Sequence, residues 1–484
     1  MQFLKSTVGN LYSLIIGGGL RLFISTKASL RLRVSLGVLF SFLLFFSFPP
    51  TVWAFCGFFV AQADASLFNK ASQVIIARDG DRTILTMAND YQGDVQDFAL
   101  VVPVPTVLKQ EQVKVGNPKI IAKLDAFSAP RLVEYFDEDP CAPPIVYDRA
   151  VPAPAGRAPQ AFESKVTRGN LGVTIEERFS VGEYDILILS AKESDGLETW
   201  LIQHGYKIPA GASRLLQPYI RQNMKFFVAK VNLKEFAKTG SQLLRPLMMA
   251  YQSRRFMLPI RLGMINAQGE QDLLVYILSP SGQAEVTNYR MVKLPTDQEI
   301  PTFVKQEFGN FYKSLFATAH QRAGRKVAFL EYAWDVSSCD PCSTEPPTYE
   351  ELKEAGVFWL DGNPTSPQGR PPQIMPRPIP RRSNVFITRI HVRYTRDTFP
   401  EDLMFQETSN QSVFQGRYVL RHPFKGKITC EAGRQYQRSL VRRFEKEAQT
   451  LARLTNWDIN EIRRKLPPVA TAPEEPNFWR NIWR

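Results

Sequence analysis

Thirty consecutive residues without a charged side chain, between Arg33 and Asp64, constrain this chain more than any other feature of its sequence. The first half is an apolar block, Val34–Phe48, which follows two arginines and ends at a Pro-Pro pair that breaks any helix. Val52–Ala54 then places small residues at the two positions that signal peptidase reads. The pattern predicts an export signal over residues 1–54, so the remainder folds outside the cytoplasm, in oxidising surroundings.

An uncleaved membrane anchor is the alternative, because the uncharged run continues through Phe55–Val60. The apolar block has 15 residues, whereas a membrane-spanning helix needs about 20, and this length favours a cleaved signal. Ala61–Ala63 offers a second cleavage site. A lipid anchor on Cys56 is disfavoured, since the bulky Phe55 precedes it. We predict a periplasmic, secreted or envelope-associated protein, with tethering by the N-terminal segment left open.

The net charge of +13 is concentrated near the C-terminus. Residues 370–484 hold 22 Lys and Arg against 11 Asp and Glu, whereas residues 55–369 hold 33 against 36. Such asymmetry suits contact with an anionic membrane surface, a wall polymer or an acidic envelope protein, and a merely solvated helix face is the alternative. Nucleic acid is not an expected partner of an exported chain without a nucleic-acid-binding module.

Turn signals and composition predict an α+β fold of mixed, mainly antiparallel sheets with packed helices and a long C-terminal helix. The predicted segments are a signal (1–54), a main α+β region (55–360), a linker or loop with seven prolines (361–383), strands with a basic helix (384–466), and a Pro-rich aromatic tail (467–484).

Local patterns predict particular elements within this framework. Gln73–Arg78, Thr83–Ala88 and Phe98–Val102 have the composition of a β-meander, whose first hairpin turns at an Asp-Gly pair. Apolar spacing over residues 120–136 is typical of helix, with a break at a Ser-Ala-Pro triplet. Phe303–Ala319 is predicted as an amphipathic helix.

The C-terminal part is predicted to close the fold. Val385–Tyr394 and Val413–Leu420 are interpreted as a closing pair of strands, and Gln435–Leu466 as one long helix. Four basic residues are placed on the outward face of this helix, where they are candidates for contact with an anionic surface: Arg438, Arg442, Arg443 and Lys446. Trp479 and Trp483, beside arginines in the tail, have the composition of an interfacial anchor or docking peptide, or of a frayed end.

Several short motifs resemble those of a bacterial family known as domain of unknown function 2330. They are Cys56-Gly57-Phe58-Phe59, Asn89-Asp90-Tyr91-Gln92-Gly93-Asp94, Val102-Pro103-Val104-Pro105, Ser128-Ala129-Pro130-Arg131, Val181-Gly182-Glu183-Tyr184-Asp185, Cys339-Asp340-Pro341-Cys342 and Thr398-Phe399-Pro400-Glu401-Asp402-Leu403. The resemblance extends from about residue 56 to 455. It implies an exported bacterial protein with no assigned activity and supplies no catalytic residues.

Five cysteines are the sharpest chemical signal: Cys56, Cys141, Cys339, Cys342 and Cys430. In an exported protein they are disulfide candidates, and their odd number leaves one free, paired between chains or removed with the signal. A zinc site made of Cys339, Cys342, His422 and Cys430 is an alternative, although its second pair is widely spaced. The sequence does not determine which cysteines pair.

Cys339 and Cys342 also invite a redox interpretation, because a strand precedes them and a helix follows, as in thioredoxin-like proteins. Two features weaken it. Six residues separate Cys342 from the predicted helix, and Asp340 would raise the pKa of a neighbouring thiol by like-charge repulsion.

Other titratable clusters have simpler interpretations. His204 and His391 are expected to be packing or surface residues. Asp90, Asp94 and Asp97 could bind calcium, but turn chemistry explains them without an ion. The acidic group Glu134, Asp137, Glu138 and Asp139 could supply paired carboxylates, and a solvated helix end is the simpler interpretation.

Together these patterns favour an exported, non-catalytic binding or structural protein of the cell envelope, without a cofactor or a metal. The alternative is a thiol-disulfide oxidoreductase that uses Cys339 and Cys342. The sequence does not identify a ligand. It leaves open whether the chain is an enzyme and favours a non-catalytic protein.

Overall fold

The computed structural model describes residues 71–88, 99–142, 173–204, 212–240, 244–264, 269–338, 344–361 and 384–468. These residues form an α+β fold of mixed, mainly antiparallel sheets and helices. The largest sheet consists of β1 (Ala71–Asp79), β2 (Arg82–Met87), β4 (Val113–Val115), β9 (Leu247–Gln252), β11 (Gln271–Ser279), β13 (Arg290–Lys293), β15 (Val327–Asp335), β16 (Phe386–Tyr394) and β18 (Phe414–Gln415). Its strand order is β13-β15-β16-β11-β1-β2-β9-β4, and β18 adds to β15.

Three smaller sheets accompany the large one. The sheet β3-β8-β7-β6 consists of Ala99–Val104, Lys225–Val231, Tyr184–Ser190 and Thr174–Val181. The sheet β14-β19-β5 consists of Gln298–Ile300, Arg417–His422 and Arg131–Phe136, and the sheet β10-β17-β12 of Met257–Leu258, Leu403–Glu407 and Ala284–Val286.

The described residues form eight α-helices, several with recognisable start and stop signals. They are α1 (Pro118–Ser128), α2 (Ser194–Gln203), α3 (Ala212–Arg221), α4 (Leu233–Lys238), α5 (Phe308–Arg322), α6 (Tyr349–Glu354), α7 (Glu431–Thr455) and α8 (Ile459–Lys465). The Asn117 side chain caps α1, whose first residue is a proline, and Thr348 with Glu351 forms a capping box on α6. None of the helices in the described ranges is long and apolar enough to cross a membrane.

The core lies in layers on both faces of the large sheet. On one face, Val74 and Ile76 of β1 pack against Ile186 and Phe227 of the four-stranded sheet. On the other face, β1 packs against α1 and α6. Helices α2 and α3 cover the outer face of the four-stranded sheet. Central strands buried on both faces explain why β1 and β11 have continuous rather than alternating apolar runs.

The predicted hairpin of β1 and β2 is confirmed: the strands pair antiparallel, and Gly80 turns between them at φ +63°. The predicted meander is wrong at its third strand. β3 leaves the large sheet and pairs with β8, while β1 takes β11 as its second neighbour in parallel. The local pattern specified strands but carried no information about their long-range partners.

For the other predicted elements too, local structure was predicted better than long-range pairing. Helix α1 is confirmed, but residues 131–136 form strand β5, which pairs with the distant β19. Val385–Tyr394 and Val413–Leu420 are not a closing pair. β16 pairs with β11 and β15, whereas the second segment divides into β18, which pairs with β15, and β19, which pairs with β14 and β5. Phe303–Ala319 is confirmed as helical: a 3₁₀ turn over 302–307 leads into α5.

Candidate functional site

Helix α7, the long basic helix, is tied to the rest of the fold at its first turn. Cys430 caps the helix and forms a disulfide with Cys141, whose Cα lies 5.8 Å away and 289 residues earlier. The backbone N–H of Gly433 donates to the Cys430 sulfur over 3.2 Å. A Cβ at Gly433 would lie 2.3 Å from the Cγ2 atom of Ile428 and 3.1 Å from the Cys141 sulfur, so glycine permits the close packing at this turn.

The outer face of α7 carries a basic stripe, defined as Arg438, Arg442 and Lys446. The three side chains are exposed and follow at intervals of four residues, so each lies about 6 Å along the helix axis from the next. Arg438 pairs with Glu431 at 3.0 Å. Arg442 and Lys446 make no ion pair with any residue of the described ranges. The opposite face, which includes Leu440, is buried in the core.

The prediction that Arg443 points outward is wrong. Its side chain is 17% exposed and donates to the carboxylate of Asp137 over 2.6 Å. Burial would lower the pKa of Arg443, but Asp137 and Glu447 outweigh that effect and raise it. Asp137 follows β5, a strand the sequence did not predict, so the partner that draws Arg443 inward was not visible from the helical pattern.

A buried carboxyl group lies beneath the basic stripe. Glu447 is buried on α7, and its Oε1 lies 3.5 Å from Arg443 without a hydrogen-bond partner among the described residues. Burial raises the pKa of Glu447 to about 7, while Arg443 opposes the shift and Glu299 and Asp137 add to it. This carboxyl therefore titrates near neutral pH.

A second polar constellation, the Arg389 network, lies on the helix-covered face of the large sheet. Arg389 of β16 is 1% exposed. It donates to Glu331 of β15 over 2.7 Å and to Asp125 of α1 over 2.6 Å. The hydroxyl of Tyr276 donates to the same Asp125 oxygen over 2.5 Å.

The network continues along β16 through alternate residues. The Nδ1 atom of His391 lies 2.8 Å from Glu331, its Nε2 atom lies 3.3 Å from Asp272, and its ring stacks on Phe316 at 3.8 Å. Burial would lower the pKa of His391, but Glu331 and Asp272 outweigh it, so the pKa is raised. Arg393 makes two bonds to Asp272, at 2.7 and 2.8 Å.

A β-bulge positions the central carboxylate of the network. Leu330 lies opposite Ile390 and Tyr332 opposite Arg389, so Glu331 is the extra residue of β15. Burial would raise the pKa of Glu331, but His391 and Arg389, with hydrogen bonds from His391 and Tyr312, lower it to about 2. The Glu331 carboxylate is fully buried, so the network does not face solvent. Instead, it joins α1 and α5 to the sheet through Asp125 and Tyr312.

This network was not apparent from the sequence. Its acidic and basic members are more than 50 residues apart in sequence. The alternation Arg389-Ile390-His391-Val392-Arg393 was the available signal, and it is also typical of a strand with one solvated face.

The cysteine predictions have one structural outcome. Cys141 and Cys430 are disulfide-bonded, whereas Cys56, Cys339 and Cys342 lie outside the described residues. The alternative zinc site loses a ligand, because the Cys430 sulfur is in the disulfide, and His422 bonds instead to Glu134 at 2.8 Å. No group of three or more metal-ligating side chains occurs within the described ranges.

The remaining candidates are distributed as follows. His204 stacks on Trp200, with ring centroids 3.8 Å apart. The acidic group is not a helix end: Glu134 lies on strand β5 and pairs with Lys305 at 2.7 Å, and Asp137 follows that strand. Asp90, Asp94, Asp97, Trp479 and Trp483 lie outside the described residues.

Comparison with known proteins places the chain in a family. A family model described as "Uncharacterized protein conserved in bacteria (DUF2330)" matches residues 50–406, which is more than half of the chain. The chain belongs to this family. The DUF2330 match spans the Arg389 network and ends before α7, so the basic stripe lies outside the matched segment.

Comparisons with curated proteins and with solved structures do not extend this assignment. No curated protein matches the chain. The crystal structure of a mutated baculovirus P35 after caspase cleavage is similar with a TM-score of 0.23 and 13% identity, over 46% of this chain and 69% of that one. A similarity at that TM-score carries no argument about fold or function.

Proposed function

We infer that this protein is exported and acts in the bacterial cell envelope as a non-catalytic binding protein, and that the basic stripe on α7 contacts an anionic surface. One observation carries the proposal: Arg438, Arg442 and Lys446 project from one exposed face of a helix whose opposite face is buried. Such a row attracts a polyanion or an anionic lipid surface through several weak contacts at once.

The disulfide supports both parts of the proposal. A structural disulfide between Cys141 and Cys430 is typical of proteins that mature in an oxidising compartment. The bond also fixes the first turn of α7 to the segment after β5, and Asp137 holds Arg443 from below. The stripe is therefore presented on a rigid support.

The sequence predicts a signal, and the envelope offers anionic lipid headgroups and anionic wall polymers to such a stripe. Phosphate and carboxylate groups are the shared chemistry, and arginine and lysine bind both. Vesicles of anionic lipid are therefore a suitable probe of this chemistry.

The first prediction concerns this stripe. The exported protein binds vesicles containing anionic lipid and not neutral vesicles, and binding weakens as salt rises, since screening reduces attraction between exposed charges. The triple variant R438Q/R442Q/K446Q loses at least 10-fold in affinity, because about 1 kcal/mol per basic residue is lost near a charged membrane surface. Co-sedimentation with vesicles measures the effect.

The matched control removes the same charge elsewhere. Arg178, Lys230 and Lys234 are exposed residues on and beside the four-stranded sheet, and R178Q/K230Q/K234Q keeps the wild-type affinity. Equal binding to neutral vesicles, no binding to any vesicle, or equal losses in both triple variants would overturn the proposal.

A further inference from the structure

The aromatic ring of Phe136 is 72% exposed, more than any other large apolar side chain that the structure describes. Phe136 is the last residue of β5. Its ring stacks on His422 with ring centroids 4.5 Å apart, and the Nε2 atom of His422 lies 2.8 Å from a carboxylate oxygen of Glu134. The Phe136 ring is therefore held in place while most of it stays in contact with solvent.

Phe136 has a fixed position relative to α7. The next residue, Asp137, accepts hydrogen bonds from Tyr436 and Arg443 over 2.6 Å each, so one carboxylate joins two turns of the helix. The N–H of Asp137 donates to the carbonyl oxygen of His422 over 2.9 Å. The disulfide ties the same segment to the first turn of α7. The exposed ring and the basic stripe are therefore carried by one rigid support.

A second exposed apolar side chain lies on α7 itself. Val441 is 52% exposed. It follows Arg438 by three residues and directly precedes Arg442, and residues three apart are neighbours on a helix surface. We call Phe136 and Val441 the apolar pair. The basic stripe thus has one apolar side chain on its own helix and another on the strand end that Asp137 attaches to that helix.

These two kinds of side chain distinguish between the anionic surfaces of the envelope. A wall polymer presents anionic groups along a hydrated chain and has no apolar phase. A bilayer presents anionic headgroups directly above an apolar layer. Attachment at a bilayer surface grows with the apolar area buried and with the attraction of basic side chains to anionic lipid.

We propose that the surface contacted by the basic stripe is an anionic lipid bilayer, and that the apolar pair enters the boundary between its headgroups and acyl chains. This inference rests on the proposed function and goes further, because it selects lipid over wall polymer. Two exposed acids, Glu138 and Asp139, follow Phe136 and oppose an anionic surface. Burial of the apolar pair in the bilayer offsets this repulsion.

Co-sedimentation of the exported protein with vesicles of equal parts phosphatidylglycerol and phosphatidylcholine tests the role of the apolar pair. F136S/V441S weakens binding about 10-fold, because the two side chains no longer bury apolar area in the bilayer. Binding to soluble poly-L-glutamate, which stands in for an anionic polymer, does not change in this variant. R438Q/R442Q/K446Q weakens binding to both, since the basic stripe acts on charge alone.

The matched control is I202S/L233S, which replaces two apolar side chains of α2 and α4 that are 53% and 42% exposed. This variant binds the vesicles with the affinity of the wild type. Thermal unfolding of every variant within a few degrees of wild type shows that the fold is retained.

A fluorescence measurement tests insertion directly. The chain has seven tryptophans, so the wild type gives the reference signal. F136W adds a tryptophan at the proposed contact, and vesicles whose acyl chains carry bromine quench its added fluorescence. I202W adds a tryptophan elsewhere, and its added fluorescence is not quenched.

Four results would overturn the inference. They are unchanged vesicle affinity in F136S/V441S, an equal loss in I202S/L233S, an equal loss of poly-L-glutamate binding in F136S/V441S, and no added quenching in F136W. If R438Q/R442Q/K446Q still loses affinity in any of these cases, the proposed function stands and only the insertion into lipid is wrong. If that variant also binds like the wild type, both proposals fail.

Discussion

Glu447 lies where α7 packs against the sheet that contains β14 and β19, and its burial has a consequence for stability. An acid whose pKa is higher in the folded than in the unfolded protein binds extra protons in the folded state. The free energy of unfolding is therefore highest below the unfolded pKa, near 4.5, and falls as pH rises through about 7. Arg443 opposes this effect, and Glu299 and Asp137 strengthen it.

The replacement E447Q tests this linkage. A neutral amide resembles the protonated acid, so the variant does not lose stability as the wild type does between pH 4.5 and 8. A pKa shift of one unit corresponds to about 1.4 kcal/mol, so the free energy of unfolding of E447Q relative to wild type rises by about 2–3 kcal/mol over that range. Urea denaturation at several pH values measures the difference.

The control is E350Q, which replaces an exposed glutamate on α6. Its stability relative to wild type stays constant with pH. A constant difference for E447Q as well would mean that the pKa of Glu447 is the same in the folded and unfolded protein, which would contradict this prediction.

Single residues of the candidate site could be predicted from sequence only where composition and helical period decide the outcome. Arg438, Arg442 and Lys446 are exposed as the period requires. Arg443 follows Arg442 by one step around the helix, and its direction depends on Asp137, a carboxylate about 300 residues earlier. The Arg389 network could not be predicted for the same reason. A β-bulge and a helix bring Glu331 and Asp125, which are distant in sequence, to one arginine.

Elements were predictable where a local signal fixes both ends. β1 and β2 have an Asp-Gly turn, and α1 follows an Asn-Pro start. The break between α7 and α8 also has a local signal that was missed: Asn456 adopts φ +61° and ends α7, and Asp458 caps α8. β5 had no such signal, because only its pairing with β19 makes residues 131–136 a strand.

The disulfide gives a prediction for the element it anchors. Peptide mapping without reduction recovers Cys141 linked to Cys430, and C141S/C430S lowers the free energy of unfolding by about 2–5 kcal/mol, since the bond closes a long loop. The variant also loses protection from hydrogen exchange in the first turns of α7. Exchange in α2, which is far from the bond in sequence and packs on another sheet, is unchanged.

A different linkage would contradict this prediction. If Cys430 were recovered bound to Cys339 or Cys342, the first turn of α7 would be linked to a different segment and not to the one that follows β5. If both cysteines were alkylated without prior reduction, the support for export from this bond would be lost.

At the scale of the whole molecule, the described residues stack as helices, sheet, sheet and helices, and the C-terminal part of the chain contributes to the middle of the stack. β16 pairs with β11 on one side and β15 on the other. It also supplies Arg389, His391 and Arg393 to the buried network. The proline-rich stretch before residue 384 therefore joins two parts of one core.

This arrangement predicts the effect of truncation. A chain that ends at Ser383 lacks β16, the strand that lies between β15 and β11. Its loss breaks the large sheet at that point and leaves Glu331 and Asp125 buried without Arg389. Removing one partner from a buried ion pair costs about 3–5 kcal/mol, and the lost strand removes two sheet interfaces as well. The truncated chain does not unfold cooperatively in circular dichroism and is digested rapidly by protease.

A chain that ends at Pro468 is the matched control, because it retains every described residue. It unfolds cooperatively, at a temperature close to that of the full chain. If the chain ending at Ser383 also unfolded cooperatively at that temperature, residues 384–468 would be an independent domain, and the pairing of β16 with β11 and β15 would not hold the large sheet together. Because the basic helix α7 follows β16 in that same segment, the experiment also decides whether the stripe is part of the core fold or an appendage to it.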